Sequence, residues 1–321
     1  MVKNINYEER FTIERMLKGG YKIKEIAVCL SRSYSAIKRE IKRCGAGFYS
    51  AVSAHNDART KMTRVPCFEL SDDTRKFIVD RLEQDKWSPM IISKRLEMEN
   101  LQVVSHSFIY SYIKTDKRNG GNLWENLAHP EPYSSARQYK GKITDRQSIH
   151  DRPEEVNIRR RIGDFEIDLI NSPKNQGASI ASILDRTSRY CRLEKTPNKT
   201  KEIVSQKVIG GLQDIGLPLH TITSDNGNEF AGHTDVASKL NIAYYFADPY
   251  ASWQRGAIEQ LNGLVRRFIP KGTWLDGVDL IYLKEVEWKL NNRPREVLGW
   301  ISPIEYLEQQ GIDLKKARLR V

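Results

Sequence analysis

The hydrophobic period of this chain changes near residue 160. Before that point apolar residues recur every three to four positions, as on helices. After it, Phe165-Glu166-Ile167-Asp168-Leu169-Ile170 alternates with the period of two that marks a strand. Such a chain joins a helical region to one built on a sheet, and a uniform bundle or sandwich is excluded.

In the helical part the spacing predicts a helix over 7–17, closed by Gly19-Gly20, and a second over 22–30 with Ile23, Ile26, Ala27 and Leu30 on one face. Ser31 to Ser33 forms a turn, and Ser33 or Ser35 caps a third helix that reaches about Arg43. On it Ile37 and Ile41 face inward while Lys38, Arg39, Lys42 and Arg43 face out. Helix, short turn and basic helix is the helix-turn-helix arrangement, whose last helix enters the major groove; a three-helix bundle with a solvated basic face is the alternative. Charge favours the first reading. The chain carries 52 Lys and Arg against 41 Asp and Glu, a formal +11, and residues 1–64 hold 14 of the basic residues against 6 acidic ones. A basic surplus of this kind suits a polyanion, either double-stranded DNA or an acidic membrane surface. Residues 1–64 are therefore expected to be a DNA-binding domain, with Ser35, Lys38, Arg39, Lys42 and Arg43 as candidate contacts.

A similar pattern returns over 65–116, where helices are expected at 71–84, from Trp87-Ser88-Pro89 to about Glu97, and after Ser105. This is a second helical, helix-turn-helix-like domain, or a purely structural one. Residues 117–157, with Gly120-Gly121, Pro130, Pro132 and scattered Lys and Arg, read as a basic linker ordered on DNA. Cys29, Cys44, Cys67 and Cys191 are too scattered for a zinc ribbon or disulfide framework, and no apolar run approaches the ~20 residues of a membrane span. A soluble, intracellular protein with no membrane partner is expected.

From 158 to 275 three strand candidates (165–170, 178–184 and 190–194) precede a helix at 199–214, a strand at 221–224, a helix at 233–240, a strand at 243–246 and a long helix at 256–268. That is the order of an α/β ribonuclease-H-like core. Residues 276–321 read as a helical tail broken at Arg293-Pro294.

Three carboxylates fall where such a core can gather them. Asp168 lies inside an apolar strand, where an unpaired charge is costly. Asp225 ends the strand Thr221-Ile222-Thr223-Ser224, and Glu259 stands near the start of the long helix. Each alone fits a structural role: an ion pair with Arg, a turn before Asn226-Gly227, a first-turn Glu favoured by the helix dipole. Together and in this order they suit a pair of hard divalent ions, which activate an oxygen nucleophile and neutralise the leaving oxygen in phosphodiester chemistry. Among competing acids, Glu166 shares the strand face of Asp168 and fits a ligand or supporting role, Asp185 is expected to pair with Arg186 or Arg189, and Glu229 ranks below the main three. Asn262 and Arg266, three and seven residues past Glu259, share its helix face and are candidate holders of DNA phosphates. Arg267, Lys271 and Trp253 are further candidates, Trp253 fitting core packing equally well.

The stretches Gly163-Asp-Phe-Glu-Ile-Asp168, Thr223-Ser-Asp225-Asn-Gly-Asn-Glu229-Phe and Pro249-Tyr-Ala-Ser-Trp-Gln-Arg-Gly256-Ala-Ile-Glu259-Gln-Leu-Asn262-Gly resemble the insertion-sequence thirty family of bacterial transposases. Phe268-Ile-Pro270-Lys-Gly, Asn292-Arg-Pro-Arg-Glu-Val-Leu-Gly-Trp300, Ile37-Lys-Arg39-Glu-Ile and Trp87-Ser-Pro89 extend the resemblance over nearly the whole chain. It implies helix-turn-helix DNA binding ahead of an integrase-like catalytic core, with Asp168, Asp225 and Glu259 catalytic under two Mg²⁺ ions, or Mn²⁺. It further implies terminal inverted repeats and target DNA as partners, strand cleavage and transfer as the reaction, and a cytoplasmic, nucleoid-associated protein. Joining two element ends calls for a homo-oligomer, at least a dimer. Two departures stand out: Gly256-Ala-Ile-Glu259-Gln-Leu replaces the family's more polar Gly-Thr-Asn-Glu-Asn-Thr, and Ile167 replaces a glycine. The alternative function is a DNA-binding regulator with an inert core; a structure-specific nuclease of the same fold is a second.

Overall fold

The computed structural model describes residues 5–42, 48–63, 69–128, 143–249, 251–312 and 314. The chain divides into two units, Met1–Leu70 and Ser71–Val321.

The first unit is helical, with α1 (Tyr7–Lys18), α2 (Ile23–Cys29), α3 (Tyr34–Ile41) and α4 (Ala51–Thr63). Asn6 and Glu9 cap α1 reciprocally, each side chain accepting from the other's backbone N–H at 2.8 Å. Ser33, one of the two expected caps, opens α3 by accepting from the Ala36 N–H. Ile13, Ile26, Ala27, Ile37, Tyr49 and Ala54 make the core. Buried beside them, Arg10 Nε donates to Glu40 Oε1 at 2.7 Å and locks α1 to α3. Ser35, Lys38, Arg39 and Lys42 are exposed, and Arg43 lies outside the described residues.

The second unit opens with α5 (Asp72–Glu83), α6 (Pro89–Met98) and α7 (His106–Arg118), capped by Ser71, Ser88 and Ser105. These helices share one unit with the sheet that follows. Arg95 Nη1 bonds Glu305 Oε1 at 2.9 Å, and Arg293 Nη1 donates to the Lys86 carbonyl at 2.8 Å.

Residues 129–142 of the expected linker lie outside the described residues, but the stretch after them is part of the fold. It contains β1 (Gln147–Ser148) and α8 (Glu154–Asn157), with β1 paired in parallel to the edge of the sheet. A two-residue strand has no periodicity to read, and its order comes from a partner distant in sequence.

The sheet continues with β2 (Asp164–Asn171), β3 (Ser179–Asp185) and β4 (Cys191–Thr196), then α9 (Lys201–Gln213), β5 (Thr221–Ser224), α10 (His233–Leu240) and β6 (Ala243–Phe246). The strand order is β1-β6-β5-β2-β3-β4, antiparallel from β2 to β4 and parallel from β2 through β5 and β6 to β1. This is a mixed α/β core, three antiparallel strands followed by alternating helices and strands as the sequence predicts. Beyond it lie α11 (Gly256–Val265), α12 (Leu280–Asn291) and α13 (Pro303–Gln309).

Strand alternation gives the sheet two different faces. Phe165, Ile167 and Leu169 pack with Val204, Val208, Leu212 and Val236 of α9 and α10. Ile170, Ile180 and Leu193 pack with Ile258, Leu261, Leu283 and Leu290 of α11 and α12 on the other. The expected tail is thus structural, since α12 covers one core and Leu307 of α13 is buried in the other. Gly163 immediately precedes β2 at φ +110°, and a Cβ there would stand 2.5 Å from the Pro218 carbonyl oxygen, so this turn requires glycine. Among the described residues no helix is long and apolar enough to cross a membrane. Cys29 and Cys191 are free thiols, and Cys44 and Cys67 lie outside the described residues.

Candidate active site

The acids Asp164, Glu166 and Asp168 all sit on the α11 side of β2, because strand residues two apart share a face. The first two are saturated. Asp164 accepts from Arg161 Nε at 2.9 Å and from Thr221 Oγ1 at 2.8 Å. Glu166 is fully buried; its Oε1 accepts from Arg186 Nε at 2.9 Å, and its Oε2 accepts from the Ile258 N–H at 3.1 Å. That last bond fastens the first turn of α11 to the sheet, so Glu166 supports the site.

Asp168 is different. Asn262 Nδ2 donates to its Oδ2 at 2.8 Å, and Ser182 Oγ holds Asn262 Oδ1 at 2.8 Å, fixing the amide's orientation. The parallel register pairs Glu166 with Thr223; Asp168 lies two residues further along β2 and Asp225 just past the end of β5, so both fall at the same end of the neighbouring strands. Arg255, buried just ahead of α11, lies between them, with Nη1 3.6 Å from Asp168 Oδ1 and Nη2 3.7 Å from Asp225 Oδ2. Burial pushes the Asp168 carboxyl up to about 6; Arg255 opposes the shift and Asp225 adds to it. Glu229 joins this field: its carboxyl is raised, first by burial and further by Asp225. Asp225 also shapes its own turn, as its Oδ1 accepts from the Gly227 N–H at 2.9 Å. Buried Asn226 ties that turn to β6 by donating to the Ala247 carbonyl at 2.6 Å.

Glu259 is exposed on the first turn of α11, and among the described residues no three acidic, histidine or cysteine side chains form a ready metal cage. The structure therefore brings Asp168 and Asp225 together and leaves the third carboxylate outside the cluster. Its helix position is nevertheless informative. Asn262 lies three residues after Glu259 on the same helix face, and Arg255 is the residue just ahead of that helix. Both lie against Asp168.

The donor set suits a divalent cation. Two carboxylates at the same end of adjacent strands offer hard oxygens, and burial, with Asp225 beside it, raises the Asp168 carboxyl despite Arg255. Arg255 meets that need loosely: both contacts are long, and its buried Nε has no hydrogen-bond partner.

The chain is 39% identical over 317 residues to a transposase for insertion sequence element IS4351 from Bacteroides fragilis, covering 96% of this chain and 97% of that relative. It is 35% identical to the IS1086 transposase of Cupriavidus metallidurans, covering 94% and 93% of the two chains. Against transposase InsI for IS30A of Escherichia coli the identity is 32%, over 96% of this chain and 84% of the relative. The chain belongs to the IS30 family of insertion-sequence transposases. No family model matches it. Among solved structures, the catalytic core domain of BIV integrase is 20% identical, covers 46% of this chain and 95% of that one, and has a TM-score of 0.37.

Other residues singled out in the sequence of this family member have settled positions. Arg266 Nη2 holds the Asn171 carbonyl at 2.9 Å and so bears on the end of β2, while Arg267 Nη2 holds the Asn126 carbonyl at 2.8 Å. Trp253 is 77% exposed, which excludes the core-packing reading. Asp185 does not pair with a neighbouring arginine. It accepts from the Gly163 N–H and from both the N–H and Oγ of Ser188, closing the turn between β3 and β4, while Arg186 reaches back to Glu166. Sequence reasoning missed Arg255. The available signal was its place four residues ahead of Glu259, beside a helix start where a cation is otherwise disfavoured.

Proposed function

We propose that this transposase binds the terminal inverted repeats of its element through residues 1–64 and cuts and rejoins DNA at Asp168, Asp225 and Glu259. The observation that carries the reading is the pair Asp168–Asp225 bridged by Arg255, with Glu259 on the face of α11 that also carries Asn262 against Asp168. Two Mg²⁺ ions, or Mn²⁺ in their place, would be held by these three carboxylates and would supply an activated oxygen nucleophile and neutralise the leaving oxygen. Glu259 completes the ligand set by turning its exposed side chain toward the pair. Asn262 keeps the Asp168 carboxylate in one orientation, Glu166 keeps the first turn of α11 against β2, and Arg255 offsets the repulsion between the two aspartates. Hydrolysis cuts a phosphodiester to leave a 3′-hydroxyl, and that hydroxyl then displaces a 3′-oxygen in target DNA. The chain itself forms no covalent intermediate.

In the first unit we assign α3 to the major groove, as the second helix of a helix-turn-helix, with Ser35, Lys38, Arg39 and Lys42 presented to DNA. Arg43 is assigned there from sequence alone. The core is ribonuclease-H-like in its strand order. Joining two ends requires at least a dimer, acting in the cytoplasm at the nucleoid.

The test incubates full-length protein with Mg²⁺ and DNA carrying the inverted repeats that flank its gene. Wild-type protein nicks and joins the ends, whereas Asp225→Asn binds them and loses about a thousandfold in nicking rate, the equivalent of about 4 kcal/mol of metal-borne stabilisation. Equal nicking by both proteins would remove the assigned site. Binding without nicking by wild type would leave a regulator.

A further inference from the structure

Helix α11 has a second flank. Opposite Glu259 and Asn262, its residues Ala257, Leu261 and Leu264 wall a cavity of about 340 Å³, lined also by Arg189, Arg293, Arg295 and Trp300. Three arginines meet there with little to balance them. None forms an ion pair among the described residues, and Glu296, exposed to solvent, is the one acidic residue of the lining. Arg293 donates to the Lys86 carbonyl at 2.8 Å and Arg295 Nη2 to the Leu290 carbonyl at 3.3 Å. The Nε atoms of Arg189 and Arg295 are buried without a hydrogen-bond partner.

The cluster is costly and deliberately held. Burial lowers the pKa of all three guanidinia, Arg293 to about 9 and Arg295 to about 10; neighbouring arginines lower them further, against an opposing pull from Glu166 and Asp185 on Arg189 and from Asp85 on Arg293. Arg189 sits at φ +62° and Trp300 at φ +69°, left-handed positions that favour glycine over large side chains. A tight loop presents Arg295 and Trp300 together, with the Arg295 N–H bonded to the Ile301 carbonyl and the Trp300 N–H to the Arg295 carbonyl, both at 2.9 Å. Guanidinia largely shielded from water and without an ion-pair partner are stabilised by an anion, and guanidinium forks match the paired oxygens of a phosphate.

We propose that this cavity binds a phosphate of the DNA strand being processed, with the apolar wall and Trp300 receiving the attached sugar. The inference rests on the transposase reading and adds a contact outside the carboxylate site. An α-helix with its side chains is about 10–12 Å across, and a DNA strand advances about 3.4 Å per nucleotide. The cavity and the carboxylates lie on opposite flanks of one helix, a separation that a strand spans within a few nucleotides.

The test uses the full chain and two probes. With inorganic phosphate compared with chloride at equal ionic strength, wild-type protein unfolds at a higher temperature, and Arg189→Gln and Arg295→Gln lose that difference. With duplex DNA carrying a single-stranded end, the plot of log affinity against log salt loses about 0.9 of its slope in Arg295→Gln, the mark of one phosphate contact, and Arg295→Lys restores it. Gln260→Glu places a negative charge at the exposed mouth without disturbing the core, and weakens binding more than Ile281→Glu, the same charge change at an exposed site on α12. No phosphate-dependent stabilisation of wild type, or a wild-type slope in Arg295→Gln, would overturn the proposal. Phosphate stabilisation that vanishes in the arginine variants, combined with equal nicking by wild type and Asp225→Asn, would keep the cavity and discard the carboxylate assignment.

Discussion

Glu166 and Asp168 lie two residues apart on one face of one strand, yet their surroundings are opposite. Both oxygens of Glu166 are engaged, one by Arg186 at 2.9 Å and one by the Ile258 N–H at 3.1 Å, and no part of the residue reaches solvent. Asp168 has Asn262 at 2.8 Å and a guanidinium held off at 3.6 Å, with a second carboxylate beside it. A carboxylate whose lone pairs are all used is part of the frame. One left short of positive charge, with its orientation fixed by a neighbour, keeps capacity for a cation that arrives later.

The contrast can be broken at four points. The largest effect is expected for Glu166→Gln, which strands Arg186 as an uncompensated buried charge: urea unfolding should record a loss of about 3–5 kcal/mol, and a loss below about 1 kcal/mol would mean that Glu166 does not hold the frame. Next is pH. The Asp168 carboxyl is raised from 3.8 to about 6, so the folded protein keeps a proton that the unfolded chain has released. Its stabilising contribution is complete below the unfolded value and is lost as pH rises through about 6, at about 1.4 kcal/mol per unit, or about 3 kcal/mol in all. With a chelator present, the stability of Asp168→Asn relative to wild type should therefore grow by up to that amount between pH 4 and pH 7, and parallel curves would refute the shift. Third, Asn262→Ala frees the Asp168 carboxylate to rotate. Nicking should slow by about 10- to 100-fold with little change in urea midpoint, whereas a shifted midpoint with unchanged rate would make Asn262 a packing residue. Smallest is Ser182→Ala, which removes the bond that orients Asn262 together with a longer one from the same hydroxyl to the Asp168 carbonyl: about 1 kcal/mol, or roughly fivefold in rate, read in the same assay.

Much of this was legible before any coordinates. The alternation of Phe165, Ile167 and Leu169 with Glu166, Asp168 and Ile170 fixes which side chains meet α9 and which meet α11, because a strand turns each residue over relative to the last. The helix starts were equally readable, since Ser33, Ser71, Ser88 and Ser105 each cap a helix with a local hydrogen bond. What escaped depends on partners far along the chain. Gln147-Ser148 is a strand only because β6 lies beside it. Asp185 looked like half of an ion pair with its neighbours, but Arg186 reaches Glu166 instead and leaves Asp185 to the turn. Arg255 between two aspartates, and three arginines around one cavity, are charge balances that no local pattern records. Glu259 is expected beside the aspartates; its helix forms where the sequence predicts it, and its side chain is exposed on the first turn.

The pairing of β2 with β5 has one more consequence. Because Glu166 lies opposite Thr223, the distance from Gly163 to Asp168 works as a ruler with two kinds of error. Losing one residue there would turn the carboxylate through to the α9 side, among Val204 and Val208, and leave a hydrophobic side chain where the acid belongs. Losing two would keep it on the correct side but slide it about 7 Å along the strand, out of line with Asp225. Short deletions in this stretch should therefore be intolerable at every length, unlike deletions in a surface loop.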